Sequence, residues 1–193
     1  MFLNDFFKNI SNGRYIDIGA FHPFRSSNTY KLYKKGWSGI NIDISKTTVD
    51  LFNIARPNDI NLNLAITDKK EKVKIYQNKD MSKWNTINPK WASLYLKNPS
   101  FREIDSDTLN NVLEDYNCKS NNFELINIDA EGSELFILKN INFDKYKFKL
   151  ILTGGQYTKE EQNIVVDLLS SKKYDYLKSI SDTDIFINKK YSD

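Results

Sequence analysis

The chain holds one cysteine, one histidine, four prolines and seven glycines in 193 residues. A lone thiol, Cys118, can form no internal disulfide. Its setting, Tyr116-Asn-Cys-Lys-Ser-Asn-Asn122, is a loop-like run with no cationic or helix-start environment to activate it. A bland free thiol in a reducing, cytoplasmic compartment is the expectation. No apolar run approaches the ~20 residues of a membrane-spanning helix. The opening Met1-Phe-Leu-Asn-Asp-Phe-Phe-Lys8 is interrupted by Asp5 and Lys8, so it lacks the continuous apolar core of a signal peptide. Charge of one sign is also missing: 28 Lys and Arg face 25 Asp and Glu, a net charge of +3, and the lysines are interleaved with acids. The basic patch of a nucleic-acid binder is therefore not indicated. Repeats and low-complexity tails are absent. A chain of this length suits one domain, able to bury roughly 70% of its unfolded surface.

What the chain does have is a pair of β-branched runs ending in an acid or a glycine. Tyr15-Ile-Asp-Ile-Gly-Ala-Phe21 ends at Asp17 and Gly19, and Gly39-Ile-Asn-Ile-Asp43 ends at Asp43. Buried parallel strands that open into ligand loops have this form. Around them the pattern predicts helices over 2–10, 26–35, 46–55, 108–116, 133–139 and 159–171. Strands are predicted over 14–18, 38–43, 60–66, 72–76, 102–105, 124–129 and 148–153, with a closing antiparallel hairpin over 174–179 and 184–188. Such alternation predicts an α/β fold, mostly a parallel sheet with helices on both faces. Residues 77–100, with Trp84 and Trp91, read as an insertion over one end of the sheet. It is either a lid or acceptor-binding element, or a loop whose tryptophans fill a small satellite core.

The first loop bears on which nucleoside fits. A dinucleotide site wants Gly-x-Gly-x-x-Gly, because a pyrophosphate must approach bare backbone. Here Gly19 is followed by Ala20-Phe-His-Pro23, and the second and third glycines are missing. S-adenosylmethionine carries no phosphate and needs one close approach, at Gly19, with a ribose acceptor at Asp43. The site therefore favours that donor over NAD.

The residues Tyr15-Ile-Asp-Ile-Gly-Ala-Phe-His-Pro-Phe-Arg-Ser-Ser-Asn-Thr-Tyr30, Gly36-Trp-Ser-Gly-Ile-Asn-Ile-Asp43, Arg56-Pro-Asn-Asp-Ile-Asn-Leu-Asn-Leu-Ala-Ile66 and Leu125-Ile-Asn-Ile-Asp-Ala-Glu-Gly132 resemble FkbM-type methyltransferases. The resemblance runs from about Phe6 to Leu152. It implies a Rossmann-like methyltransferase sandwich, S-adenosylmethionine as methyl donor, and an acceptor hydroxyl on a sugar, glycan or secondary metabolite. It implies donor contacts at Asp17, Gly19, Ala20, Asp43, Ile44, Ala65 and Ile66. Asp129 and Glu131 would meet the methyl donor or the acceptor, with Glu131 at the start of the following helix.

Other readings stand beside these. Asp17 could serve the loop itself, Gly19 could be only a turn glycine, and Ala65 and Ile66 could be ordinary core. His22 either takes the hydroxyl proton or orders its loop by hydrogen bonding. Two close acids also suit a divalent metal, but the remaining ligands are not identifiable from sequence. One departure from the family is Leu150-Ile-Leu-Thr-Gly-Gly155, which lacks the acid that relatives often carry there. Two rivals remain: a nicotinamide-dependent sugar-modifying enzyme, and a non-catalytic Rossmann-like binding module.

Overall fold

The β-branched runs form the middle of the molecule. The structure, a computed structural model, describes residues 2–118, 123–154 and 158–191. In chain order the elements are α1 (Phe2–Phe6), β1 (Arg14–Ile18), α2 (Tyr30–Tyr33), β2 (Ser38–Asp43), α3 (Lys46–Ala55), β3 (Ile60–Asn63), β4 (Ala65–Thr67), β5 (Glu71–Gln77) and α4 (Pro89–Tyr95). They continue with β6 (Ser100–Thr108), α5 (Leu109–Asp115), β7 (Leu125–Ile128), α6 (Glu134–Asn140), β8 (Leu150–Thr153), α7 (Lys159–Ser171), β9 (Tyr174–Ile180) and β10 (Thr183–Asn188). Seven strands form one sheet in the order β3-β2-β1-β7-β8-β10-β9. The first five are parallel, and β10 runs antiparallel to both β8 and β9. This is the expected α/β fold with its C-terminal hairpin.

Alternation along each strand sorts side chains to two faces. Ile16, Ile18, Ile40, Ile42, Ile126 and Ile128 pack with α5, α6 and α7. Tyr15, Leu125, Leu150, Leu152 and Ile185 pack on the other face with Phe7, Leu32 and Trp37, beside α1 and α2. The chain winds outward from β1 to β3 and then returns to β7 on the other side of β1. Strand order therefore reverses between β1 and β7, and in such sheets the crevice at the carboxyl ends of the strands takes the ligand.

Several expected elements changed. The alternating run 60–66 is not one strand: β3 stays in the large sheet, while β4 leaves it to pair with β6 in a second sheet of order β4-β6-β5. The hinge is Leu64, whose N–H donates to the Asp43 carbonyl at 3.2 Å. The helix expected over 26–35 shrinks to α2, because Ser26 takes a positive φ of 51° and the Thr29 hydroxyl turns away to Asp17. The first helix is likewise shorter than expected, and β6 runs nine residues where a short strand was expected. The loop around Cys118 continues into Lys119–Asn122, outside the described residues. Cys118 itself is buried and unpaired in a disulfide.

Candidate active site

The carboxyl ends of β1, β2 and β7 are joined backbone to backbone. Gly19 N–H donates to the Ile42 carbonyl at 2.9 Å, and Asp129 N–H to the Ile18 carbonyl at 2.9 Å. Gly19 has φ +76°, and a Cβ there would lie 1.8 Å from the Asp129 carbonyl oxygen. Glycine is thus required by the backbone of the neighbouring loop as well as by the turn.

Asp17 is almost fully buried at the base of this junction. Its carboxylate accepts from the Thr29 hydroxyl at 2.6 Å and from Asn127 Nδ2 at 2.8 Å, and Asn127 Oδ1 accepts from Asn28 Nδ2 at 2.9 Å. Burial raises its pKa, and those hydrogen bonds pull it back. Thr29 in turn accepts from Arg56 Nη1 at 2.9 Å, while Arg56 Nε and Nη2 both donate to the Pro23 carbonyl and Nη2 also donates to Ser27 Oγ. Arg56 is fully buried, its guanidinium 4.8 Å from the Phe52 ring centroid and 5.3 Å from that of Tyr33. It props the whole loop between β1 and α2 from below. Sequence reasoning missed Arg56 and Asn127. The available signal was a polar residue set inside an apolar strand, Leu125-Ile-Asn-Ile128, which must find a partner.

Asp43 stands at the end of β2. Its two oxygens accept from Phe21 N–H at 2.8 Å and Ser45 N–H at 2.7 Å, and burial pushes its pKa up to about 6 against those hydrogen bonds. Each oxygen keeps a second lone pair. His22 lies outside the cavity described below. Its Nδ1 accepts from the N–H groups of Phe24 and Arg25, at 3.1 and 3.2 Å, which is the loop-ordering arrangement. Partial burial, Arg25 and Arg56 lower its pKa.

The turn after β7 carries the remaining acids. Asp129 opens into the cavity, and its carboxylate accepts no hydrogen bond among the described residues. Crowding by the walls, then the charges of Asp182 and Asp17, push its pKa up to about 6, with Lys83 opposing. Gly154 makes room for it: a Cβ there would lie 2.4 Å from Asp129 Oδ1. The uncharged end of β8 thus has a steric purpose, although Gly155 lies outside the described residues. Glu131 is not at a helix start. It has φ 49° in the turn, and α6 begins three residues later at Glu134, the acid that accepts from Ala130 N–H at 2.7 Å and Gly132 N–H at 3.0 Å. Burial, Asp129 and Glu134 push Glu131 to about 8, and burial first of all pushes Glu134 to about 7.

The excursion between β5 and β6 is fastened to this turn. Thr86 donates its hydroxyl to the Glu131 carbonyl at 2.8 Å, and Asn88 Nδ2 donates to the Gly132 carbonyl at 2.6 Å. Trp91 is buried against Gly132, and Trp84 and Tyr95 join its aromatic cluster, while Trp84 also reaches the cavity. The tryptophans of the excursion thus share one small aromatic cluster.

The ends of β1, β2 and β7 border a cavity of about 730 Å³, whose lining includes Asp17, Gly19, Ala20, Asp43, Ile44, Ala65, Ile66, Asp129 and Glu131. That volume suits a small-molecule ligand. Among the described residues no group of three or more His, Cys, Asp or Glu is arranged to hold a metal ion, and no helix is long and apolar enough to cross a membrane.

A wound sheet with acids at the ends of β1, β2 and β7, open at its switch point, is the architecture of a nucleotide- or nucleoside-binding α/β protein. The family model described as the methyltransferase FkbM domain matches residues 17–177, and the chain belongs to this family of S-adenosylmethionine-dependent methyltransferases. The crystal structure of methyltransferase FkbM from Methylobacillus flagellatus KT superposes with a TM-score of 0.61 over 92% of this chain and 44% of that one, at 12% identity. The likeness is one of fold, and the chain spans less than half the length of that protein. No curated protein matches the sequence.

Proposed function

We propose that the chain transfers a methyl group from S-adenosylmethionine to a hydroxyl oxygen of a sugar, glycan or secondary metabolite. The observation that carries this reading is the Asp129 carboxylate, open to the cavity and free of hydrogen bonds among the described residues; its surroundings push its pKa up, to about 6. A base held just below neutrality is well matched to drawing a proton from a hydroxyl.

The residues present fit the donor. Asp43 has lone pairs left for ribose hydroxyls, and Ile44, Ala65 and Ile66 supply apolar wall for an adenine. The cavity is lined by Asp17, Asp43, Asp129 and Asp182 against Lys31 and Lys83. An acid-rich wall favours a sulfonium and an ammonium, and it disfavours the pyrophosphate of NAD(P). Asp17 acts through its hydrogen bonds, keeping Thr29 and Asn127 in place beneath the donor loop. When bound, S-adenosylmethionine supplies an electrophilic methyl carbon, whose bond to sulfur breaks as its bond to the acceptor oxygen forms. Asp129 receives the hydroxyl proton. Glu131, still protonated at neutral pH, donates a hydrogen bond to the acceptor, so two neighbouring carboxyls with separated pKa values divide the work. His22 orders the loop and takes no part in proton transfer. Residues 77–100 form the roof under which the acceptor lies in line with the donor.

The test is transfer of labelled methyl from S-adenosylmethionine into a glycan and metabolite fraction, with the product identified. Incorporation as a methyl ether supports the reading. Calorimetric binding of NAD(P) with none of S-adenosylmethionine would overturn it in favour of a nicotinamide enzyme, and donor binding with no transfer would leave a binding module.

A further inference from the structure

The cavity has a second apolar end, on the far side of Asp129 from Asp43 and β4. There the sheet continues through β8 and β10, where Leu152 and Ile185 are register partners and both buried. Phe2 and Leu3 of α1 pack against the same cluster and reach the cavity wall. Phe24, in the loop after β1, and Ile180, at the end of β9, complete the lining. Phe24 is 50% exposed and Ile180 43%. Large apolar side chains left open and gathered at one cavity mark a surface awaiting a ligand. Seating α1 does not require them, since Phe7 already anchors that segment with its ring 4.9 Å from the Trp37 ring.

The walls also say what kind of apolar group fits. Leu3, Leu152, Ile180 and Ile185 give branched aliphatic surface, with Asn4, Lys31 and Asp182 at its margin. Of the rings there, Phe2 has Lys178 Nζ 4.3 Å from its centroid, and Phe24 and Tyr30 meet edge-on at 5.3 Å. We infer that this end of the cavity holds an alkyl or acyl chain carried by the acceptor, so that the methylated molecule is amphipathic, its hydroxyl at Asp129 and its chain between α1 and the β8–β10 edge. The inference rests on the methyl-transfer reading for the role of Asp129, but the chain pocket can be measured without it.

Octyl and methyl β-glucosides, both kept below the micelle concentration of the former, are titrated calorimetrically into the chain with and without S-adenosylhomocysteine. The octyl compound is expected to bind at least about tenfold more tightly, which corresponds to full burial of roughly two methylenes. Ile180→Asp, and separately Phe24→Ser, place polar groups at exposed positions and are expected to shrink that ratio to about threefold or less. Affinity for S-adenosylhomocysteine and the thermal midpoint should stay as in the parent. Equal affinity of the two glucosides, or an octyl preference that survives both substitutions, overturns the inference. Absence of S-adenosylhomocysteine binding would sink the methyl-transfer reading alone, because the glucoside ratio in its absence still decides the chain pocket.

Discussion

The two ends of the cavity are built on opposite principles. On the β1–β2 side every acid already has partners: Asp17 holds Thr29 and Asn127, Asp43 holds two backbone N–H groups, and Arg56 braces the loop from beneath. On the β7–β8 side Asp129 has none among the described residues, Phe24 and Ile180 are exposed, and Glu131 sits at a positive φ. The first end is preorganised by its own chain, as a site for an invariant ligand should be. The second leaves valences and apolar surface for something the chain does not supply.

The contrast can be broken most severely at Gly19. Gly19→Ala puts a Cβ into the Asp129 carbonyl at an unfavourable φ, and a loss of about 4 kcal/mol or more is expected by urea denaturation. Arg56→Met removes the brace while leaving Pro23, Ser27 and Thr29 short of their donor. It should cost about 3–5 kcal/mol and release amide protection in the loop between β1 and α2. At the open end the sign of the effect changes from folding to turnover. Asp129→Asn should lower the methyl-transfer rate by about a hundredfold or more, with stability and S-adenosylhomocysteine affinity near those of the parent. Normal turnover in this variant would remove Asp129 as the base.

A pH series sharpens the comparison further. Asp43, at about 6, and Glu134, at about 7, bind protons more tightly in the folded chain than in the unfolded one. Their protonation therefore stabilises the ligand-free fold below the unfolded carboxylate range, and that contribution is lost as pH rises through 6 and 7. The thermal midpoint is expected to fall between pH 5 and pH 8, and Glu134→Gln to make the fall shallower. Turnover moves the other way, rising with pH through about 6 as Asp129 ionises. The smallest effect is at Thr153, whose buried hydroxyl lacks a partner among the described residues. Thr153→Val should be neutral or stabilising by up to about 1 kcal/mol.

Elements whose ends are written in local side chains were legible in the sequence. Both α3, capped by Ser45, and α7, with the Thr158–Glu161 capping box, begin and end at the residues expected. Alternation located the strands of the large sheet, but it carries no information on which sheet a strand joins, so the passage from β3 to β4 at Leu64 was invisible. The helix expected at Ser26 failed because Thr29 answers to Asp17, a partner on another strand. Much of the site was nameable for the same local reason: acids and glycines at strand ends. The supports were not, because Asn127 meets Asp17 across 110 positions and Arg56 meets Thr29 across 27. Glu131 was placed one turn early, its neighbour Glu134 being the acid that serves the helix.

The hydrogen bonds from Thr86 and Asn88 have an evolutionary consequence. They tie residues 77–100 to the carbonyls of Glu131 and Gly132, backbone groups that any side chain would leave in place, so these two bonds constrain the side chains at 86 and 88. A chimera that borrows this roof from another family member inherits a working turn only if the hydroxyl at 86 and the amide at 88 travel with it. Two stretches about 45 residues apart along the chain are thereby fastened into one unit.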